Sequence, residues 1–236
     1  MRKRSYKDDS FLYLNPSESN YQDWKRIIKE TTESCRITYF PTEDGKGVYP
    51  YVILPSESEW SLAYRKAVKE GMLQMLQEEI EKANALLLPE AKGFPLTYIF
   101  GDSNLKFIFV RKRDYHLPDQ VCITQRKAYK SRNNNEMFIV RSQNGSLGLR
   151  GDENILIAET IISSGETVCS IIDALKSQTD CNIVGIGAIY ERGNGIENIM
   201  KRTGHEAKGL ARLEVIEFST GEKRPYIPYF WDEKKK

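Results

Sequence analysis

The sequence predicts an α/β fold, in which a mostly parallel central sheet carries helices on both faces and follows an N-terminal extension. Two observations predict it. From about residue 56 onward, short apolar runs alternate with amphipathic segments of helical period, a pattern typical of parallel sheets covered by helices. The chain also has 236 residues, of which 40% are hydrophobic, so it can bury one sizeable core.

The N-terminal part of the chain is the least regular. It is rich in Tyr and Pro and shows weak periodicity, apart from a short amphipathic helix pattern near residues 21–31. Ser56 and Glu59 then have the spacing of a capping box and predict the start of a long helix, whose apolar residues recur mostly at three- and four-residue steps. We therefore divide the chain into an extension, residues 1–55, and one domain, residues 56–236.

Strands and helices alternate through the rest of the chain. The segment 125–136 is rich in Lys, Arg and Asn, which indicates a mobile loop or the tip of a hairpin. The predicted helices cover residues 93–101, the segment after Gly165 and residues 196–202. The predicted strands cover residues 85–88, 106–110, 121–124, 137–140, 155–158, 183–190 and 210–218.

One connection between a strand and a helix, ILIAETIISSGETV at residues 155–168, has the composition of a phosphate site. Its apolar run ends at an acid, Glu159, and a turn of serine, glycine and threonine precedes the helix. The free N–H groups of a first helical turn, together with the helix dipole, favour a bound anion. Because Glu159 can accept hydrogen bonds from sugar hydroxyls, the combination predicts a sugar-phosphate site. A capped helix without a ligand is the alternative.

Two further polar segments follow predicted strands. They are residues 89–93, which contain Glu90 and Lys92, and residues 111–113, which are Arg-Lys-Arg. Because the carboxyl ends of parallel strands meet at one edge of a sheet, we expect both segments to lie beside the phosphate turn. Such a set suits a ligand with one phosphate at one end, a ribose in the middle and a highly charged group at the other end.

On these segments the chain resembles the type I phosphoribosyltransferases, and within them the purine enzymes of the adenine and hypoxanthine phosphoribosyltransferase type. The resemblance covers roughly residues 85–217, and residues 1–55 match no part of the family, although they could form part of its hood. The segments that carry the resemblance, in the family's order, are ALLLPEAKGFPL (85–96), FIFVRKRDYHLP (107–118), ILIAETIISSGETV (155–168) and GIGAIYERGNGIENI (185–199).

The resemblance implies a reaction. These enzymes transfer ribose 5-phosphate from 5-phosphoribosyl-1-pyrophosphate to a purine ring nitrogen and release pyrophosphate. The transition state resembles an oxocarbenium ion, so catalysis requires that the leaving group is stabilised and that water is excluded. The implied cofactor is Mg²⁺, held mainly by substrate and water oxygens. The implied partners are small-molecule substrates and a second copy of the chain in a homodimer.

The resemblance also assigns roles to single residues. Glu159 would hydrogen-bond the ribose hydroxyls, and Lys92 and Arg111 would bind the pyrophosphate as the main cations. The stretch 125–136 matches the family's flexible loop, with Lys127, Tyr129 and Lys130 as its expected ligand contacts. The residues expected to bind the substrates are Ala91, Gly93, Lys112, Tyr129, Thr160, Ser163, Ser164, Gly165, Glu166 and Thr167.

The chain departs from the family pattern at two positions. Thr160 stands where a second acid is usual. Because of this departure, the alternative function is non-catalytic binding of phosphoribosyl pyrophosphate or a nucleotide. Glu166 stands where glycine is common. Because a carboxylate aimed at a phosphate would weaken its binding, we expect the Glu166 side chain to point away from the turn.

Several polar and aromatic residues have a structural interpretation beside the functional one. Lys92 and Glu90 could form a surface ion pair, and residues 111–113 could be a solvated edge. Glu191 and Arg192 could face the purine or belong to a structural turn. The aromatic segment 226–231 could pack on the core or cover the base pocket.

Composition excludes other classes of function. The formal net charge is +2, from 35 basic and 33 acidic residues, so neither a nucleic acid nor a membrane is expected as a partner. The four cysteines and two histidines show no metal-binding spacing, and no metal held by the protein alone is expected. The polar N-terminus and the short apolar runs predict a cytoplasmic protein with reduced thiols.

Overall fold

The order of helices and strands follows the predicted alternation. The computed structural model describes residues 23–41, 47–55, 60–90, 93–111, 120–127, 134–140 and 149–233. In chain order the elements are α1 (Asp23–Glu33), β1 (Ile37–Pro41), β2 (Val48–Val52), α2 (Leu62–Met75), α3 (Gln77–Lys82), β3 (Ala85–Pro89), a 3-10 turn (Phe94–Leu96), α4 (Thr97–Phe100), β4 (Lys106–Val110), β5 (Gln120–Lys127), β6 (Asn134–Val140), β7 (Asn154–Ile162), α5 (Glu166–Gln178), β8 (Asn182–Glu191), α6 (Gly195–Thr203), β9 (Lys208–Arg212), β10 (Glu214–Glu217), β11 (Lys223–Tyr226) and a final 3-10 turn (Trp231–Glu233).

Five parallel strands form the central sheet, in the order β4-β3-β7-β8-β9. The chain passes from β3 outward to β4 and then returns to the other side of β3 to form β7. The strand order therefore reverses between β3 and β7. In sheets of this kind, ligands bind in the crevice at the carboxyl ends of the strands where this reversal occurs.

Helices cover both faces of the sheet, as predicted. Successive side chains of a strand point to opposite faces, so each central strand contributes to two cores. The first core packs β-strand residues against α1, α2 and α4, and its buried members include Trp24, Ile28, Tyr64, Met72, Leu86, Leu88 and Leu156. The second packs them against α5 and α6, and its buried members include Leu87, Ile155, Ile157, Ile171, Ile172 and Ile199.

The helix predicted near residues 21–31 is α1, and it packs against α2 in the first core. A chain of hydroxyl groups joins the two helices to the sheet: the Thr32 and Tyr190 hydroxyls are 2.6 Å apart, and the Tyr190 and Tyr64 hydroxyls are 2.7 Å apart. Burial raises the pKa of both tyrosines, so their hydroxyls stay protonated. The division of the chain at residue 55 remains a prediction, but α1 and the sheet share one core.

The long helix begins later than predicted, and the predicted capping residues Ser56 and Glu59 lie outside the described residues. Trp60 and Ser61 are not helical, and α2 begins at Leu62 with Ser61 as its cap, whose hydroxyl accepts a hydrogen bond from the Tyr64 N–H group at 3.2 Å. The helix also ends at Met75, because Leu76 leaves the helical conformation before α3 begins.

Two predicted strands have different bounds in the structure. Strand β7 continues to Ile162 instead of ending at residue 158, because it keeps pairing with the long strand β8 beyond the end of β3. The predicted last strand, residues 210–218, is two strands separated by Leu213. Of these, β9 joins the central sheet, whereas β10 pairs antiparallel with β11.

The polar stretch 125–136 forms a hairpin in which β5 and β6 pair antiparallel from Gln120↔Val140 to Lys127↔Asn134. The strands are longer than predicted, and the connecting segment 128–133 lies outside the described residues. The hairpin packs on β4 and α5 through its strands. In the described parts of the chain, no helix has both the length and the apolar character that a membrane span requires.

Candidate functional site

The predicted phosphate turn connects β7 to the N-terminus of α5. Gly165 caps the helix with φ = 78°, a left-handed conformation that favours glycine. The first backbone hydrogen bond of the helix runs from the Cys169 N–H group to the Gly165 carbonyl. The N–H groups of Glu166, Thr167 and Val168 therefore have no carbonyl partner within the helix, and they form the donor set that an anion requires.

Hydroxyl groups lie on the same turn. Ser163 is exposed, whereas Ser164 and Thr167 are partly buried. The Ser164 hydroxyl accepts a hydrogen bond of 3.4 Å from the Glu166 N–H group. A bound phosphate would replace this long internal contact with a charge-assisted one.

The first residues of helix α6 pack against the phosphate turn. A Cβ atom at position 165 would lie 2.6 Å from the carbonyl oxygen of Gly195, and one at position 195 would lie 2.6 Å from that of Ser163. The Asn198 amide also donates to the Ser164 carbonyl at 3.2 Å. These close approaches fix the turn against the first residues of α6.

The Glu166 side chain points from the turn toward α6. Its carboxylate lies 3.4 Å from Nη1 of Arg202, and the other guanidinium nitrogen of Arg202 binds Asp173 on α5. Sequence reasoning missed Arg202, because the pair joins residues 36 positions apart on two helices.

Glu159 and Thr160 lie inside β7, not after it. Glu159 pairs with Ala188 of β8 and is 9% exposed. Thr160 is 0% exposed, and its hydroxyl has no hydrogen-bond partner among the residues described. The two side chains of this pair are therefore in different environments, and the threonine hydroxyl does not reach solvent in this conformation.

The ends of β3 and β4 form the opposite side of the crevice. The Glu90 N–H group donates to the Val110 carbonyl at 2.7 Å, which places Glu90 beside Arg111. Nη1 of Arg111 lies 3.8 Å from the Glu90 carboxylate, and its guanidinium group is 6.0 Å from the centre of the Phe94 ring. Arg111 is thus a partly exposed cation at the predicted edge, with an internal anion next to it.

Gly93 allows the turn after β3 to be tight. Its N–H group donates to the Pro89 carbonyl at 2.8 Å, and a Cβ atom there would lie 2.5 Å from the same oxygen. The other predicted residues of this side lie outside the described part of the chain: Ala91, Lys92, Lys112 and, in the hairpin connection, Tyr129 and Lys130.

Because β3, β4 and β7 are parallel, the turn after β3, Arg111 and the phosphate turn lie at one edge of the sheet. They flank the point where the strand order reverses. In the described residues, no group of three or more His, Cys, Asp and Glu side chains could hold a metal ion.

Glu191 and the C-terminal segment form a separate cluster at the ends of β8 and β9. The Glu191 carboxylate is buried and accepts hydrogen bonds from Arg212 at 3.3 Å and from the Tyr229 hydroxyl at 3.1 Å. Burial and the neighbouring carboxylate raise the pKa of Tyr229, so its hydroxyl remains a donor. Ile227 and Phe230 are core residues. These contacts anchor the C-terminal segment to the sheet.

Two relatives of known name match most of the chain. The chain is 29% identical over 196 residues to the hypoxanthine/guanine phosphoribosyltransferase of Methanocaldococcus jannaschii, a match that covers 81% of this chain and 96% of that protein. It is 29% identical over 194 residues to the enzyme of the same name from Methanotorris igneus. That match covers 80% of this chain and 95% of that protein. No protein-family model matches the chain.

Solved structures share the fold. Adenine phosphoribosyltransferase from Leishmania donovani aligns with a TM-score of 0.60 at 17% identity, over 82% of this chain and 81% of that one. The enzyme from Saccharomyces cerevisiae, solved with adenine and an imino-altritol bisphosphate, aligns with a TM-score of 0.58 at 15% identity, over 79% of this chain and 97% of that one. In its sequence relatives, its sheet order and its phosphate turn, the chain is similar to purine phosphoribosyltransferases, and it has the fold of the type I enzymes.

Proposed function

We propose that this protein transfers ribose 5-phosphate from 5-phosphoribosyl-1-pyrophosphate to a purine base and releases pyrophosphate. One observation carries the proposal: the phosphate turn and the turn after β3 flank the reversal of strand order, where a phosphorylated sugar and its diphosphate can lie side by side. In the reaction, a bond forms between a purine nitrogen and C1′ of the ribose, the bond from C1′ to the diphosphate oxygen breaks, and the purine loses a proton.

The roles of the residues follow from charge. The N–H groups at the start of α5 and the hydroxyls of Ser163, Ser164 and Thr167 would bind the 5-phosphate. The Glu159 carboxylate would accept hydrogen bonds from the ribose hydroxyls and offset the positive charge that develops on the sugar. Lys92 and Arg111 would stabilise the negative charge on the departing diphosphate.

Magnesium is part of the proposal. Glu159 would be the acid beside the ribose, and no group of three or more His, Cys, Asp and Glu side chains among the described residues could hold an ion. This donor set fits a cation that is carried by diphosphate, ribose and water oxygens. When bound, the ion would neutralise charge on the leaving group. Glu159 would meanwhile orient the ribose.

The β5–β6 hairpin is the proposed cover of the site. It packs beside β4, whose end bears Arg111. Its connecting segment contains Tyr129 and Lys130, which would contact the diphosphate when the hairpin closes and excludes water. We expect the protein to be a homodimer and to be cytoplasmic. Sedimentation equilibrium would measure the oligomeric state.

The proposed bases are hypoxanthine and guanine, since the relatives that match most of the chain are named for them. The test is incubation with 5-phosphoribosyl-1-pyrophosphate, Mg²⁺ and each of hypoxanthine, guanine, xanthine and adenine, with nucleotide and pyrophosphate both measured. We expect both products with the first two bases. Equal or faster turnover of adenine would contradict the base assignment, and no product with any base would contradict the enzymatic function.

A second candidate function is a non-catalytic protein that binds phosphoribosyl pyrophosphate or a nucleotide. The observation that favours it is the buried hydroxyl of Thr160, which stands where the family usually carries an acid. Calorimetric binding of phosphoribosyl pyrophosphate without turnover of any base would support this function over the first.

A further inference from the structure

Glu166 carries the wrong charge for its place in the phosphate turn. It is the first residue of α5, and its own N–H group belongs to the donor set for the phosphate. A carboxylate near these donors has two effects. It repels a phosphate, and it can occupy the same N–H groups itself, because the helix dipole favours any anion there.

Arg202 forms an ion pair with this carboxylate. One guanidinium nitrogen lies 3.4 Å from Oε2 of Glu166, and the other binds Asp173, about two turns further along α5. A planar guanidinium group binds two carboxylates in a fixed geometry, whereas the donors of a lysine ammonium group rotate freely and fix no such geometry. Asp173 thus anchors Arg202, and Arg202 in turn restrains Glu166.

The packing of α6 places the backbone of Arg202 beside α5. At the start of α6, Gly195 approaches the phosphate turn so closely that neither it nor Gly165 has room for a Cβ atom. At its end, the Thr203 carbonyl accepts a hydrogen bond of 3.0 Å from Lys176 on α5. Both ends of α6 are therefore fixed to α5 and its turn.

We propose that Arg202 is a positioning residue that withdraws the Glu166 carboxylate from the phosphate turn and so allows a turn with an acid to bind a 5-phosphate. This inference rests on the proposed function, since it concerns the same phosphate site. Arg202 does not contact the substrate. Its effect on binding passes through Glu166 and requires the glutamate charge.

The test is a double-mutant cycle on the binding of ribose 5-phosphate, measured by calorimetry for the wild type, Arg202→Met, Glu166→Gln and the double variant. We expect Arg202→Met to weaken binding by about five- to tenfold, since one charge contact of this kind corresponds to about 1 kcal/mol. Glu166→Gln removes the repelling charge and should bind more tightly than the wild type. In the Glu166→Gln background, Arg202→Met should cause no further loss.

The matched control is Lys201→Met, which removes a neighbouring cation of α6 that pairs only with Glu197 among the ion pairs of the described residues. We expect its affinity for ribose 5-phosphate to equal that of the wild type. In steady-state kinetics, Arg202→Met should raise KM for 5-phosphoribosyl-1-pyrophosphate and leave kcat unchanged, because the phosphate turn binds the unreactive end of the substrate.

Three results would overturn the inference and leave the proposed phosphate site standing. Unchanged affinity in Arg202→Met would show that Glu166 needs no restraint. An equal loss in the Glu166→Gln background would show that Arg202 acts by its own charge or by supporting α6. The same loss in Lys201→Met would show a general effect of net charge. If the wild type does not bind ribose 5-phosphate at all, the proposed phosphate site itself is wrong, and the inference fails with it.

Discussion

Thr160 has a hydroxyl group that the fold buries without a partner among the described residues. A buried polar group without a hydrogen bond costs about 1–3 kcal/mol. We therefore expect Thr160→Val to raise the free energy of unfolding by about 1 kcal/mol, measured by urea denaturation, and to leave kcat/KM unchanged. A large loss of kcat/KM in this variant would instead show that the hydroxyl contacts the substrate in the catalytic conformation.

Thr160→Asp restores the acid that the family usually has, but at a site with no exposed surface. An unpaired buried carboxylate costs several kcal/mol, so we expect this variant to unfold more easily without a gain in turnover. A large gain in turnover would identify the native protein as a degenerate enzyme and would favour the binding function. Thermal unfolding and the base panel, measured on the same preparation, separate the two outcomes.

Gly165 is required by both its backbone conformation and its neighbours. Gly165→Ala places a side chain at positive φ, which costs about 1–2 kcal/mol, and also brings a Cβ atom to 2.6 Å from the Gly195 carbonyl. Gly221→Ala is the matched control, because Gly221 has φ = 79° and no atom within 4 Å of its Cβ position. We expect a greater loss of unfolding free energy in Gly165→Ala, and a raised KM for phosphoribosyl pyrophosphate in that variant alone. Equal losses with unchanged KM would contradict this.

At the scale of residues, the sequence predicted the residues of the phosphate turn but not the contacts that those residues make. The phosphate turn is a local motif, so the spacing of its serines and glycine is enough to predict it. Electrostatics also argues that the Glu166 carboxylate is unfavourable beside a phosphate. Its partner Arg202 and the close approach of Gly195 arise only when α5 and α6 pack together, and no local pattern encodes that contact.

At the scale of elements, strands with polar residues at both ends were predicted well. The apolar run of β4 is bounded by polar residues, and its predicted bounds match those in the structure. The lengths of β7 and β8 were underestimated, because their last pairs depend on each other and not on local composition. Likewise, the capping-box spacing predicts a helix start at Ser56, whereas α2 begins after its cap Ser61.

Glu153 joins two elements at the edge of the sheet opposite the site. Its carboxylate, 1% exposed, accepts hydrogen bonds of 2.8 Å from Lys106 of β4 and from the N–H groups of Arg150 and Gly151. Burial alone would raise the pKa of Glu153, but these hydrogen bonds lower it to about 2. A carboxyl group whose pKa is lower in the folded state stabilises the fold above its unfolded pKa.

We therefore expect Glu153 to contribute on the order of 2–3 kcal/mol near pH 7, and this contribution to disappear as the pH falls from about 4.5 toward 2. Glu153→Gln should lower the free energy of unfolding at pH 7 and flatten its dependence on pH in this range. Asp152→Asn is the matched control, because its carboxylate is exposed and should contribute little. Identical pH profiles for the wild type and Glu153→Gln would contradict the assignment.

At the scale of the whole molecule, the fold class, the strand–helix alternation and the location of the phosphate turn at the sheet edge all followed from the sequence. The role of the N-terminal helix in the core did not, because weak periodicity in residues 1–55 gave no indication of what α1 would cover. Its contacts are with α2 and with the C-terminal segment, which are remote in sequence.

A substitution at Trp24 tests whether the N-terminal helix α1 unfolds together with the rest of the molecule. Its side chain is 1% exposed, packs edge-on against Phe230 at 5.3 Å and fills the space beside Gly71. Trp24→Ala should therefore lower the free energy of unfolding by about 3–5 kcal/mol in one cooperative transition, followed by both circular dichroism and near-ultraviolet signals. Arg26→Ala, which breaks only exposed ion pairs of the same helix, should change it by less than about 1 kcal/mol. If Trp24→Ala instead splits unfolding into two transitions, with the major one at the wild-type midpoint, then α1 is a separable attachment and the sheet is stable without it.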